Sequence, residues 1–152
     1  MKRHAACLLA TALLLQACGG GDDPADVALV FTEVQSSASS AIAQARTVAV
    51  HDDTAWAALW AAHKAHETPP PPRPPIDFAL QSVAAVFLGE VGACDRPRVD
   101  SVVLTPGTRI TVQWTHVLPQ PFEACIAMLG RPAQMVRFDN PQQLPLEFRQ
   151  AR

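Results

Sequence analysis

Four cysteines and five histidines are the side chains of this 152-residue sequence best equipped for covalent or metal chemistry, and their positions divide them among different tasks. Cys18 follows Leu15-Gln16-Ala17 at the close of an apolar run, Ala5 to Leu15, that begins just behind Lys2 and Arg3. A charged start, a short apolar stretch and a small residue before the cut are the parts of a secretion signal. Eleven apolar residues fall short of the roughly 20 that a helix needs to span a bilayer core. The sequence therefore predicts removal of residues 1–17, Cys7 among them, and leaves Cys18 at the new amino terminus.

Cys94 and Cys125 remain for the folded part. An exported compartment permits them to pair, and closing a loop of about 30 residues stabilises a fold by roughly 3 to 4 kcal/mol in the chain-entropy account. The competing reading, two free thiols or a redox pair, lacks the close C-x-x-C spacing that redox chemistry favours. His63 and His66, three apart with Glu67 adjacent, have a spacing that lets both reach one metal, with His51 or His116 brought from elsewhere. His63 also lies on an apolar helical stripe, where a packed or interface histidine is the simpler reading, and no metal site is assigned. Asp52 and Asp53 resemble a carboxylate pair, but helix capping accounts for them more simply. The sequence carries no G-x-S-x-G, no H-E-x-x-H and no glycine-rich phosphate loop. The expectation is a noncatalytic protein with no cofactor.

The Leu15-Gln16-Ala17-Cys18 tetrapeptide resembles the lipobox of bacterial lipoproteins, in which the cysteine becomes the lipidated first residue. That resemblance implies a lipid-anchored envelope protein. At about 0.8 kcal/mol per buried methylene, two or more acyl chains hold a small domain at a membrane durably. Gly19 rather than Asp follows the cysteine, a pattern similar to that of lipoproteins sorted to the outer membrane, facing the periplasm. Residues 18–26, Gly-rich and acidic, form a tether with a root-mean-square span of only about 15 Å. The processed chain loses Lys2 and Arg3 from 12 basic residues and keeps all 14 acidic ones, for a net charge near −4. Nucleic acid is thereby disfavoured as a partner.

The elements that position these residues fit one domain over residues 27–150. Val27 to Gln35 and Thr47 to Val50 read as strands around a Ser36–Ser40 loop. A helix follows, capped by Asp52 or Asp53, with Trp56, Leu59, Trp60 and His63 at offsets of 3, 4 and 7. Residues 69–75 hold six prolines around Arg73 and predict a stiff polyproline II spacer of about 20 Å. From Ser82 the pattern turns to period two: Ser82 to Glu90, Val99 to Thr105 and Thr108 to Val117 read as strands of an antiparallel meander, the last two joined through Pro106-Gly107. Ile110, Val112 and Trp114 share one face, with His116 following. Cys125 to Leu129, Met135 to Phe138 and Leu146 to Phe148 supply up to three more strands. The predicted fold is α+β: one Trp-bearing helix on a twisted antiparallel sheet of about five to seven strands, with one disulfide and with a closed barrel as the alternative arrangement.

Trp56-Ala57-Ala58-Leu59-Trp60, then Ile76-Asp77-Phe78, then Val86-Phe87-Leu88-Gly89 and later Pro132 before Met135-Val136 resemble the C-terminal domain of PrcB-type protease-complex lipoproteins. The resemblance runs from Asp53 to Phe138. It departs at Gly92-Ala93-Cys94, where that family commonly has Gly-Gly-Tyr. It implies a noncatalytic lipoprotein that binds or stabilises a protein partner such as a secreted or envelope protease, with Trp56, Trp60, His63 and Trp114 as candidate contacts. The other function class is a small-ligand or metal-binding envelope lipoprotein using the Trp and His residues.

Overall fold

The computed structural model describes residues 25–121, 124–125 and 127–151; the predicted leader, Cys18 and most of the predicted tether lie outside the described residues. Among the described residues, ten strands and one helix run in the order β1 (Val27–Leu29), β2 (Phe31–Ser37), β3 (Arg46–Val50), α1 (Asp53–His63), β4 (Gln81–Phe87), β5 (Val91–Gly92), β6 (Arg96–Thr105), β7 (Arg109–Val117), β8 (Leu129–Gly130), β9 (Ala133–Asp139) and β10 (Leu146–Gln150). One four-stranded sheet has the order β1-β6-β7-β10, a second β2-β9-β4-β3, and β5 and β8 form a small ribbon.

The second sheet is the middle layer of three. Val83, Ala85 and Phe87 of β4 pack with Trp56, Leu59 and Trp60 of α1, while Ala84 and Val86 face Val102, Ile110 and Val112 of the first sheet. Every residue of β4 after Gln81 is buried. A strand covered on both faces needs a continuous apolar run rather than alternation, and Val83-Ala84-Ala85-Val86-Phe87-Leu88 supplies one. This corrects the single meander. With β4 paired to β3 and β9, the β6–β7 hairpin has no place beside it and heads its own sheet. A further departure is β10, which runs parallel to β7, so the chain is mostly β with mixed pairing.

Asp52 caps α1, its Oδ1 accepting from the Ala55 backbone N–H at 2.7 Å, which satisfies one of the donors that a helix start leaves free. Gly107 turns the β6–β7 hairpin at φ +68° in open space. Gly89 is fixed for a different reason: it has φ +69°, and a Cβ there would come within 2.6 Å of the Ala45 backbone nitrogen. Glycine thus lets β4 leave its sheet against the loop before β3.

Candidate functional site

The helix stripe is buried. Trp56 and His63 are fully covered and Trp60 nearly so. The proline segment covers the two indoles: the Trp60 indole N–H donates to Pro71 O at 3.0 Å and that of Trp56 to Pro74 O at 2.9 Å. Polyproline II leaves its carbonyls without internal partners, so two of them are free to accept from the indoles. Arg73 locks the segment with a bidentate pair to Asp53, at 2.7 and 3.0 Å, and its guanidinium holds the Asp53 carboxyl below its usual range. The stretch read as a spacer is therefore also a strap across the helix. Trp56, Trp60 and His63 belong to the core rather than to an exposed contact surface.

His63 sits deepest. Its Nδ1 lies 2.9 Å from Ser40 Oγ, and its ring packs against Trp60 and Phe87 at centroid distances of 5.8 and 5.9 Å. Burial strips hydration from the charged ring and lowers its pKa to about 4, with Lys64 and His66 adding repulsion. The imidazole is neutral at neutral pH. His66, one turn on, is exposed beside Ser39, while His51 meets Ser82 and His116 meets Asp95. These rings do not converge. Among the described residues no group of three or more His, Cys, Asp or Glu is arranged to hold a metal.

Trp114 is half-buried and lines a groove of about 340 Å³ with Phe87, Leu88, Val91, His116 and Arg46. Arg46 stacks over the Phe87 ring at 5.6 Å. A larger cleft, about 510 Å³, opens beside it between the Ser39–Ala41 loop, Glu90 and Met128–Arg131. Its rim carries an Arg131–Glu90 ion pair at 3.1 Å and two exposed apolar side chains, Met128 and Leu129. The Cys94–Cys125 disulfide ties the loop bearing them back to the β5–β6 connection. No family model, curated protein or solved structure matches this chain. The geometry of the chain itself therefore carries the functional argument.

That geometry has two ends. Asp26 hydrogen-bonds Thr105 at the turn that closes the β6–β7 hairpin, so the chain enters the domain there. At the other end of the hairpin, about 30 Å away for ten extended residues, Arg96 pairs with Val117. The disulfide, the groove, the cleft and the exposed Leu118, Met128 and Leu129 lie at this far end. Sequence reasoning missed Met128 and Leu129 because it assigned Cys125 to Leu129 to a strand. Among the described residues of that stretch, only Leu129, paired with Gly130 in β8, is in one. Pro119, Pro121 and Pro132 around them were the available signal, since proline confines strand pairing to edges.

Proposed function

We propose that the chain is a noncatalytic envelope lipoprotein, anchored by lipid on Cys18 at the outer membrane, that binds and stabilises a protein partner through the end of its domain opposite the tether. The PrcB-like resemblance makes a secreted or envelope protease the partner class. The observation that carries the reading is the grouping of the exposed Met128, Leu129 and Leu118 with the cleft and the groove at the end of the hairpin opposite Asp26 and Thr105; the exposed Val27, Val30 and Leu80 near the other end border neither. An anchored module presenting apolar side chains away from its anchor is suited to contact a protein above the lipid surface. A short tether keeps that contact close to the membrane.

The test is photo-crosslinking in cells, with the photoreactive residue placed at Met128, at Leu129 or, as control, at Thr108. Crosslinks to one protein from positions 128 and 129 but not 108 support the reading. Equal labelling from all three positions, or none above background, overturns it. Cys18→Ser, expected to abolish acyl labelling and release the protein from membranes, checks the anchor separately. The small-ligand alternative draws on the 510 Å³ cleft, a volume within the range of ligand pockets. A thermal shift with a metabolite and metal panel tests it.

A further inference from the structure

Of the four edges of the two larger sheets, three are blunted. β2 carries a bulge between Glu33 and Gln35, and its Glu33 and Val34 share the walls of a small pocket with Pro74 and Pro75 of the strap. β1 has three residues, and β10 bears Glu147 and Arg149, tied to each other and to Arg109. β3 carries one charge, Arg46, and none of the other devices. It is five residues long, with no proline and an unbroken register from Arg46 opposite Phe87 to Val50 opposite Val83. Such an edge is a template for another strand.

The layer below β3 is also one strand short. Thr47 and Ala49 are exposed, although Val86 and Ala84 beside them on the same face of the sheet are fully buried between the layers. The first sheet covers β4 and stops before β3. Next to Thr47 the space left over opens into the Trp114 groove, lined by Leu88 and Val91 and bounded by Gln150 near the end of β10, while Phe87, whose ring packs toward α1, meets it only at the end of β4. Arg46 stands on its rim with no carboxylate partner among the described residues.

We infer that β3 is a strand-addition site, and that its occupant is an extended segment of the partner protein carrying apolar residues at alternate positions and a carboxylate opposite Arg46. Main-chain hydrogen bonds to the free edge supply affinity, and the groove selects the alternate side chains. A second copy of this chain does not fit these requirements, because β3 itself, Arg46-Thr47-Val48-Ala49-Val50, contains no acid to meet Arg46 in a symmetric pair. The inference rests on the protein-binding reading and gives that partner its chemistry.

Two acetylated eight-residue peptides, alternating valine and threonine and differing by one glutamate or lysine near the end that meets Arg46, serve as probes against the whole processed protein. Tryptophan fluorescence reads binding, and amide exchange locates it. The glutamate peptide is expected to bind about fivefold more tightly, the size of a partly exposed charge preference, and to slow exchange over residues 46–50. Arg46→Glu should reverse the preference and Arg46→Lys should keep it, with thermal melts confirming that both variants fold. Absence of binding, protection elsewhere, or a preference unchanged by Arg46→Glu overturns the inference. Failure here with crosslinks intact at positions 128 and 129 leaves the partner reading standing. Loss of those crosslinks with peptide binding retained has the opposite meaning.

Discussion

The end of the domain that receives the tether and the end that faces away from it are built on opposite terms. At the tether end, polar groups are closed in pairs. Asn140 is buried and uses its whole amide: Nδ2 donates to Ser82 Oγ and Leu144 O at 3.0 Å each, and Oδ1 accepts from Leu144 N at 2.9 Å. Ser82 in turn meets His51 at 2.9 Å, and Asp52 caps the helix nearby. At the far end, Leu118, Met128 and Leu129 stand in solvent beside an open cleft and groove, with a disulfide tying their loop back, whereas the exposed Val27, Val30 and Leu80 of the tether end border neither. Under the proposed function, this contrast gives stability to one end and contact to the other. It is also vulnerable to experiment, because substitutions at the two ends should separate the two properties.

The largest expected effect tests the shared core. Trp56→Ala removes a fully buried ring and its bond to Pro74 O, and should cost about 3 to 5 kcal/mol by denaturant unfolding. It should also free the strap, visible as faster proteolysis around residues 69–75. A loss under about 1 kcal/mol would mean that helix and strap are not the third layer of the core.

Acid should act next, and through the far end. His63 holds a pKa of about 4 in the fold against 6.5 in a free chain. Below pH 6.5 the unfolded chain takes up a proton that the folded one refuses, so stability is complete above that pH and declines as pH falls toward 4, by up to about 3 kcal/mol. His63→Gln should flatten that slope between pH 4 and 6.5. A wild-type stability that rises on acidification through this window would refute the buried neutral ring.

Asn140→Ala, at the tether end, comes third. It strands the Leu144 backbone groups and should cost about 2 kcal/mol, read as a lowered melting temperature, while crosslinking from positions 128 and 129 persists at temperatures where the variant is folded.

The elements of this contrast were unequally legible in the residues. The 3, 4 and 7 spacing of Trp56, Leu59, Trp60 and His63, the aspartate before it and the Pro106-Gly107 turn are local signals, and the local structure follows them. The cysteine pair was legible by elimination once an exported compartment was granted. What stayed hidden depends on distant partners. The Val83–Leu88 run does not say what covers each of its faces, and the parallel docking of β10 on β7 joins residues more than 30 positions apart. The strap was hidden because a proline run shows stiffness but not the indole donors that fix it. Arg46 was invisible as a feature, since a lone arginine acquires meaning only from the ring beneath it and the strand missing beside it.

The smallest expected change in stability decides most about function. Met128 and Leu129 are 63% and 67% exposed, so replacing both by serine removes little buried area and should shift unfolding by less than about 0.5 kcal/mol. In a chain whose partner contact lies at the far end, the same pair of changes should sharply reduce crosslinking from neighbouring Leu118. A buried apolar anchor at the centre of an interface typically carries more than 1 kcal/mol of binding, which makes such a loss at least about fivefold. If the double variant is as stable as expected and crosslinks as before, these side chains are incidental and contact must run through the β3 edge or the strap. If it loses stability instead, the far end is scaffold like the rest, and the division between the two ends fails.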